Sequence, residues 1–123
     1  MTYAINEVHN TDLSTLCASL PDESVDMILC DLPYGITSCE WDAMIPLQPM
    51  WDAFKRVVKP RGAIVLTAKQ PFSSLLVVSN LGMFRYEWVW NKSLPTGHLN
   101  AKKMPMPKHE SVLVFSKEAS DYY

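Results

Sequence analysis

The sequence predicts one α/β domain. Three observations carry that: apolar runs at residues 25–30 and 62–68 with the composition of buried parallel strands, an apolar stripe at helical spacing between them, and two further strand-like runs toward the C-terminal end. A chain of 123 residues with 48% hydrophobic content is long enough for a single core.

Residues 3–9 alternate weakly and read as a short strand. Thr11 or Asp12 then caps a short helix whose Leu13, Leu16, Cys17 and Leu20 fall on one face, and "LPDES" ends it. Residues 25–30 are apolar on both faces apart from Asp26, the pattern of a central parallel strand. Leu47, Met50, Trp51, Phe54, Val57 and Val58 form the stripe of the next helix, with Lys55, Arg56 and Lys59 at the end where cations suit the helix dipole. "KPRG" stops that helix, and "GAIVLTA" is the second buried strand. Residues 71–81 read as a third helix opened by proline. "FRYEWVW" puts Phe84, Tyr86, Trp88 and Trp90 on a common face, which favours edge-sheet core over base stacking for Trp88 and Trp90. "SVLVF" is the last strand, and the final two strands are expected as an antiparallel pair at one edge of the sheet.

Composition excludes several function classes. A net charge of −2 gives no global attraction to nucleic acid, so polyanion binding must come from a local cluster. Residues 92–109 supply one, with Lys92, His98, Lys102, Lys103, Lys108 and His109 and not one acid. This proline-interrupted connection is longer than packing requires; a solvated loop is the plain alternative, and the absence of acids tilts its basic residues toward phosphate contact. Cys17, Cys30 and Cys39 lack metal-ligand spacing and read as reduced thiols, so no metal is expected. No apolar run approaches the roughly 18 residues of a membrane span, and a soluble cytoplasmic protein is the expectation.

"VDMILCDLPYG" is the informative stretch, because a buried strand ends by delivering an acid, a proline and an aromatic ring together. Ligands of open α/β sheets bind at the carboxyl ends of the strands, which puts Asp31, Leu32, Pro33 and Tyr34 on the floor of a site. A turn in which Asp31 caps, Pro33 stiffens and Tyr34 covers the core is the plain alternative.

"DLPYG" resembles the (Asp/Asn/Ser)-Pro-Pro-(Tyr/Phe) motif of DNA amino-methyltransferases, which move a methyl group from S-adenosyl-L-methionine to adenine N6 or cytosine N4. The resemblance runs along most of the chain, since "LPDESVDMILCDLPYG", "WDAFKRVVKPRGAIVLTAKQPF", "FRYEWVWNKS" and "NAKKMPMPKHESVLVFSK" are similar to successive segments of phage and prophage adenine-specific enzymes. It implies a partial Rossmann-like methyltransferase sheet with an antiparallel edge pair, acting on double-stranded DNA for genome protection or restriction-modification. Asp31 and the Leu32 carbonyl would accept the two hydrogens of the target amine, with Tyr34 stacking on a base flipped out of the duplex. Leu32 departs from the motif where the family has its first proline, a position that contributes main chain. Asp at the first position leans toward adenine. Asp31 also faces the reacting end of the cofactor in this reading.

Asp12 follows the expected first strand, where the family has an acid contacting the adenine of the cofactor; an N-cap is the equal alternative. Trp41 and Asp42 are either pocket rim or surface turn. Phe72 either packs on the flipped base or starts a helix in the core. The family's Phe-x-Gly-x-Gly turn for the methionine part of the cofactor is absent, since Gly35, Gly62, Gly82 and Gly97 are isolated. In one circularly rearranged group the catalytic motif precedes that turn. Residues 1–123 are therefore expected to be the N-terminal, catalytic-motif half of a methyltransferase domain, inactive alone and prone to homo-oligomerise through surfaces the other half would cover. A non-catalytic remnant serving as a DNA-binding or dimerising module is the alternative.

Overall fold

The computed structural model describes residues 5–33, 46–92 and 108–119. Within them the chain runs α1 (Leu13–Ser19), β1 (Val25–Asp31), α2 (Leu47–Val57), β2 (Val58–Ala68), α3 (Phe72–Ser79), β3 (Phe84–Asn91) and β4 (His109–Phe115). The four strands form one sheet in the order β1-β2-β4-β3, with β1 parallel to β2 and the other two pairings antiparallel. The expected α/β class and the antiparallel edge pair are both present.

One face of the sheet carries the core. Trp51, Phe54 and Val57 of α2 pack with Ile64 and Leu66 of β2, Leu113 and Phe115 of β4, and Phe72 and Leu76 of α3. Trp51 is the hub: its ring lies 4.7 Å from that of Phe115, and its indole N–H donates to Ser79 Oγ at 2.8 Å. Arg56 ties the first two helices together, donating to the carbonyls of Cys17 and Leu20 and pairing with Asp22 at 2.7 Å. Together with the Leu20 amide, which donates to the Cys17 carbonyl at 3.1 Å, it closes the C-terminal end of α1.

Four sequence expectations change. Residues 5–10 form no strand, because Asn6 adopts φ 61 in a turn and breaks the extended backbone. β2 begins at Val58 and not at Gly62, so "KPRG" lies in the strand, where the register with β1 shifts between Val25↔Val58 and Met27↔Ala63. Gly62 is required there, since a Cβ would stand 2.7 Å from the Asp26 carbonyl oxygen. Phe84 leaves the common face of Tyr86, Trp88 and Trp90: an irregularity between Phe84 and Tyr86 turns it to the core, 5.6 Å from Phe115. Trp88 and Trp90 are half-exposed, at 49% and 50%, and so are not core among the described residues.

β1 also differs from the central strand its composition implies. Among the described residues it pairs with β2 alone, and Met27 and Leu29 on its outer face are 52% and 70% exposed, while Ile28 and Cys30 pack against the core. Among the described residues the helices that cover the sheet lie on one face, whereas parallel strands are usually covered on both. Among the described residues no helix is long and apolar enough to cross a membrane.

Candidate active site

Parallel pairing of β1 with β2 sets Asp31 opposite Thr67 at the carboxyl end of both strands. The Thr67 hydroxyl donates to Asp31 Oδ1 at 2.7 Å. Asp31 itself is exposed, while the next residue, Leu32, buries its side chain in the core, and Pro33 is half-buried. Leu32 thus anchors the strand tip by packing where the motif's first proline would stiffen it by ring closure. Asp31, Leu32 and Pro33 stand at and just beyond the carboxyl end of β1, with Asp31 exposed. Tyr34, Trp41 and Asp42 lie outside the described residues.

The register continues across the sheet from Asp31 through Thr67 and Val112 to Trp88. Strands spaced about 4.8 Å apart put the carboxylate and the indole at opposite ends of a row about 14 Å long. Thr67 was not among the candidate residues. Only the partnership of residues 31 and 67, which alternation along a single strand cannot reveal, could have found it.

Asp12 is the N-cap of α1, accepting from the Thr15 amide at 2.7 Å, and that bond holds its carboxyl below the usual carboxylate range. Phe72 belongs to the core, which answers its alternatives in favour of the helix start. Gln70 accepts from the Ser74 hydroxyl at 2.6 Å, and the Lys69 carbonyl accepts from the Ser73 amide at 2.8 Å. Burial raises the Cys30 thiol above its ordinary range, and the adjacent Asp31 carboxylate adds to the shift. Cys17 is raised by burial and partly offset by Arg56.

The basic residues divide. Lys92 pairs with Glu110 at 3.1 Å and stands 5.2 Å over the Trp90 ring, while its amide donates to the Lys108 carbonyl at 2.7 Å. Lys108 and His109 are exposed. His98, Lys102 and Lys103 lie outside the described residues.

Residues 3–95 match the family model UPF0020, RMKL-like, methyltransferase domain. The Type II methyltransferase M.BglII of Bacillus subtilis is 30% identical over 132 residues, covering 92% of this chain and 36% of the relative. Among solved structures, the cytosine-N4-specific PvuII DNA methyltransferase superposes with a TM-score of 0.68 at 16% identity, covering 89% of this chain and 48% of that one. TTHA0409 of Thermus thermophilus, in complex with S-adenosyl-L-methionine, gives 0.60 at 19% identity over 89% of this chain and 54% of its own. At these identities the structural likeness shows the fold, a Rossmann-like methyltransferase sheet. The chain spans about a third to a half of the length of these relatives.

Proposed function

Because the chain belongs to the RMKL-like methyltransferase-domain family, we propose that it is the catalytic-motif portion of a site-specific DNA amino-methyltransferase whose target is adenine N6. The observation that carries this reading is that the sequence "DLPYG" begins at the carboxyl tip of β1, where Asp31 is exposed and accepts from Thr67. Likeness to a Type II methyltransferase and to a DNA methyltransferase of known structure supports double-stranded DNA as the substrate. Cytosine N4 is the second reading, favoured by the printed specificity of the PvuII enzyme.

An exocyclic amine is a poor nucleophile because its lone pair is delocalised into the base ring, and it is out of reach inside a duplex. In the proposed mechanism the base is extruded and stacked on Tyr34, a contact worth on the order of 1–3 kcal/mol for an aromatic platform. Asp31 and the Leu32 carbonyl accept the two amine hydrogens, which favours a pyramidal nitrogen. As the nitrogen gains carbon it becomes positive and then sheds one proton to the Asp31 carboxylate or, through it, to water. An acceptor that strengthens as charge develops lowers the barrier and does more than bind.

S-adenosyl-L-methionine, when bound, supplies the electrophilic methyl, its sulfur keeping the bonding electron pair. The residues present fit two parts of it: Asp31 carries a charge that suits the sulfonium at the reacting end, and Asp12, already an N-cap, offers an acceptor for its adenine. The sequence of residues 1–123 contains no Phe-x-Gly-x-Gly motif for its methionine part. In this reading the glycine-motif half belongs to sequence outside these residues. Lys102, Lys103, Lys108 and His98 contact phosphate in this reading, and Lys92 keeps the local fold.

The test is single-turnover methylation by Asp31→Ala in the protein expressed from its complete reading frame. The rate should fall by orders of magnitude with DNA affinity nearly unchanged. A variant with the wild-type rate would sink the assignment.

A further inference from the structure

We propose that Thr67 is the positioning residue of the site, a hydroxyl on the inner strand that fixes the carboxylate of Asp31 for the incoming amine. The inference rests on the role given to Asp31 above. Asp31 is the last residue of β1, the outermost described strand on that side, and its side chain is exposed. Such a carboxylate has two soft torsions and, by itself, several orientations. Thr67 has the opposite situation. It sits in β2, between β1 and β4, half-buried, and as a β-branched residue it is restricted about its first side-chain torsion. A 2.7 Å bond from its hydroxyl to Oδ1 transfers that restriction to the carboxylate.

The neighbours of Thr67 show why the hydroxyl matters. On the same sheet face it stands next to Val65 along β2 and opposite Val112 on β4. Strand propensity and packing would be met equally well by valine, so the hydroxyl is the one feature of this position that the sheet does not use. A carboxylate offers about four lone-pair positions, so the bond to Thr67 occupies one of them and holds Oδ1. Displacement of a reacting group by about 1 Å costs on the order of a hundredfold in rate, and loss of this bond removes one restraint on displacements of that size.

The experiment uses the protein expressed from its complete reading frame, with a target duplex and S-adenosyl-L-methionine. Thr67→Val should slow single-turnover methylation by about tenfold or more, with DNA and cofactor dissociation constants and melting temperature within about twofold and a few degrees of wild type. Thr67→Ser should restore most of the rate. In the Asp31→Ala background, Thr67→Val should have no further effect. A readout independent of activity is the crystal structure of Thr67→Val, in which the Asp31 side chain should occupy more than one rotamer or leave the one seen here. Asp31→Ala inactive with Thr67→Val at the wild-type rate overturns this proposal and leaves the role of Asp31 standing. Asp31→Ala active overturns both. Equal rate losses in Thr67→Val and Thr67→Ser, with an unmoved carboxylate, also reject positioning through the hydroxyl.

Discussion

Replacing Lys92 by methionine separates two uses of a lysine that the sequence alone presents as part of a basic cluster. Its ammonium lies 3.1 Å from Glu110 Oε1, with side chains only 24% and 10% exposed, and 5.2 Å from the Trp90 ring centroid. Methionine keeps most of the stem packing and removes the charge. Exposed ion pairs are worth about 0–1 kcal/mol, and breaking a buried one costs about 3–5 kcal/mol because the remaining charge has no partner. This pair is buried on the Glu110 side and partly open on the Lys92 side, so about 2 kcal/mol is expected, with roughly 0.5 kcal/mol more from the ring contact. On a chain of this size that lowers the melting temperature by about 10 °C. Urea and thermal unfolding followed by circular dichroism measure it. The double variant Lys92→Met, Glu110→Gln should recover part of the loss, because a neutral amide is less costly to bury than an unpaired carboxylate. A Lys92→Met variant that melts within a degree of wild type and instead weakens DNA binding, with the salt slope falling by about one, would refute this, since Lys92 would then be spent on phosphate.

Trp51→Ala should lose about 3–5 kcal/mol, as a buried aromatic truncated at the centre of the core does; wild-type melting would mean that α2 does not pack as described. Trp51→Phe should lose about 1 kcal/mol through the indole bond to Ser79, read in the same unfolding curves. Cys17 and Cys30 should alkylate slowly at neutral pH, with Asp31→Asn accelerating Cys30, as resolved by peptide mass spectrometry. Because their folded-state values are raised, the stability they contribute is full below the unfolded thiol value of about 8.5 and is lost as pH rises through the folded one. Alkaline melts that show rising stability over that window would contradict the burial assigned to them.

Local patterns made the helices readable. The stripe of α2 and the Asp12 cap depend on residues a few positions apart, and the structure reproduces both. The strands were readable as elements but not in their placement. Apolar residues on both faces of residues 25–30 reported a strand suited to burial, yet burial depends on what lies beside it, and β1 is the outer described strand with Leu29 exposed. The turn of Phe84 to the core arises from a local irregularity that no period-two pattern contains. At the site, Asp31, Leu32 and Pro33 were legible because a motif is contiguous. Thr67 was not, because its contact with Asp31 exists only once two strands 36 residues apart are in register. The pairing of Lys92 with Glu110 escaped the sequence for the same reason: a charge count over residues 92–109 stops one residue short of its partner.

The most direct measurement is the identity of the methylated product. The protein expressed from its complete reading frame is incubated with duplex DNA and methyl-deuterated S-adenosyl-L-methionine, and the DNA is digested to nucleosides for mass spectrometry. Label in N6-methyladenine, abolished by Asp31→Ala, is the result predicted. Label in N4-methylcytosine would overturn the choice of base, and label in 5-methylcytosine or in no nucleoside would contradict amine methylation by the Asp31 site altogether.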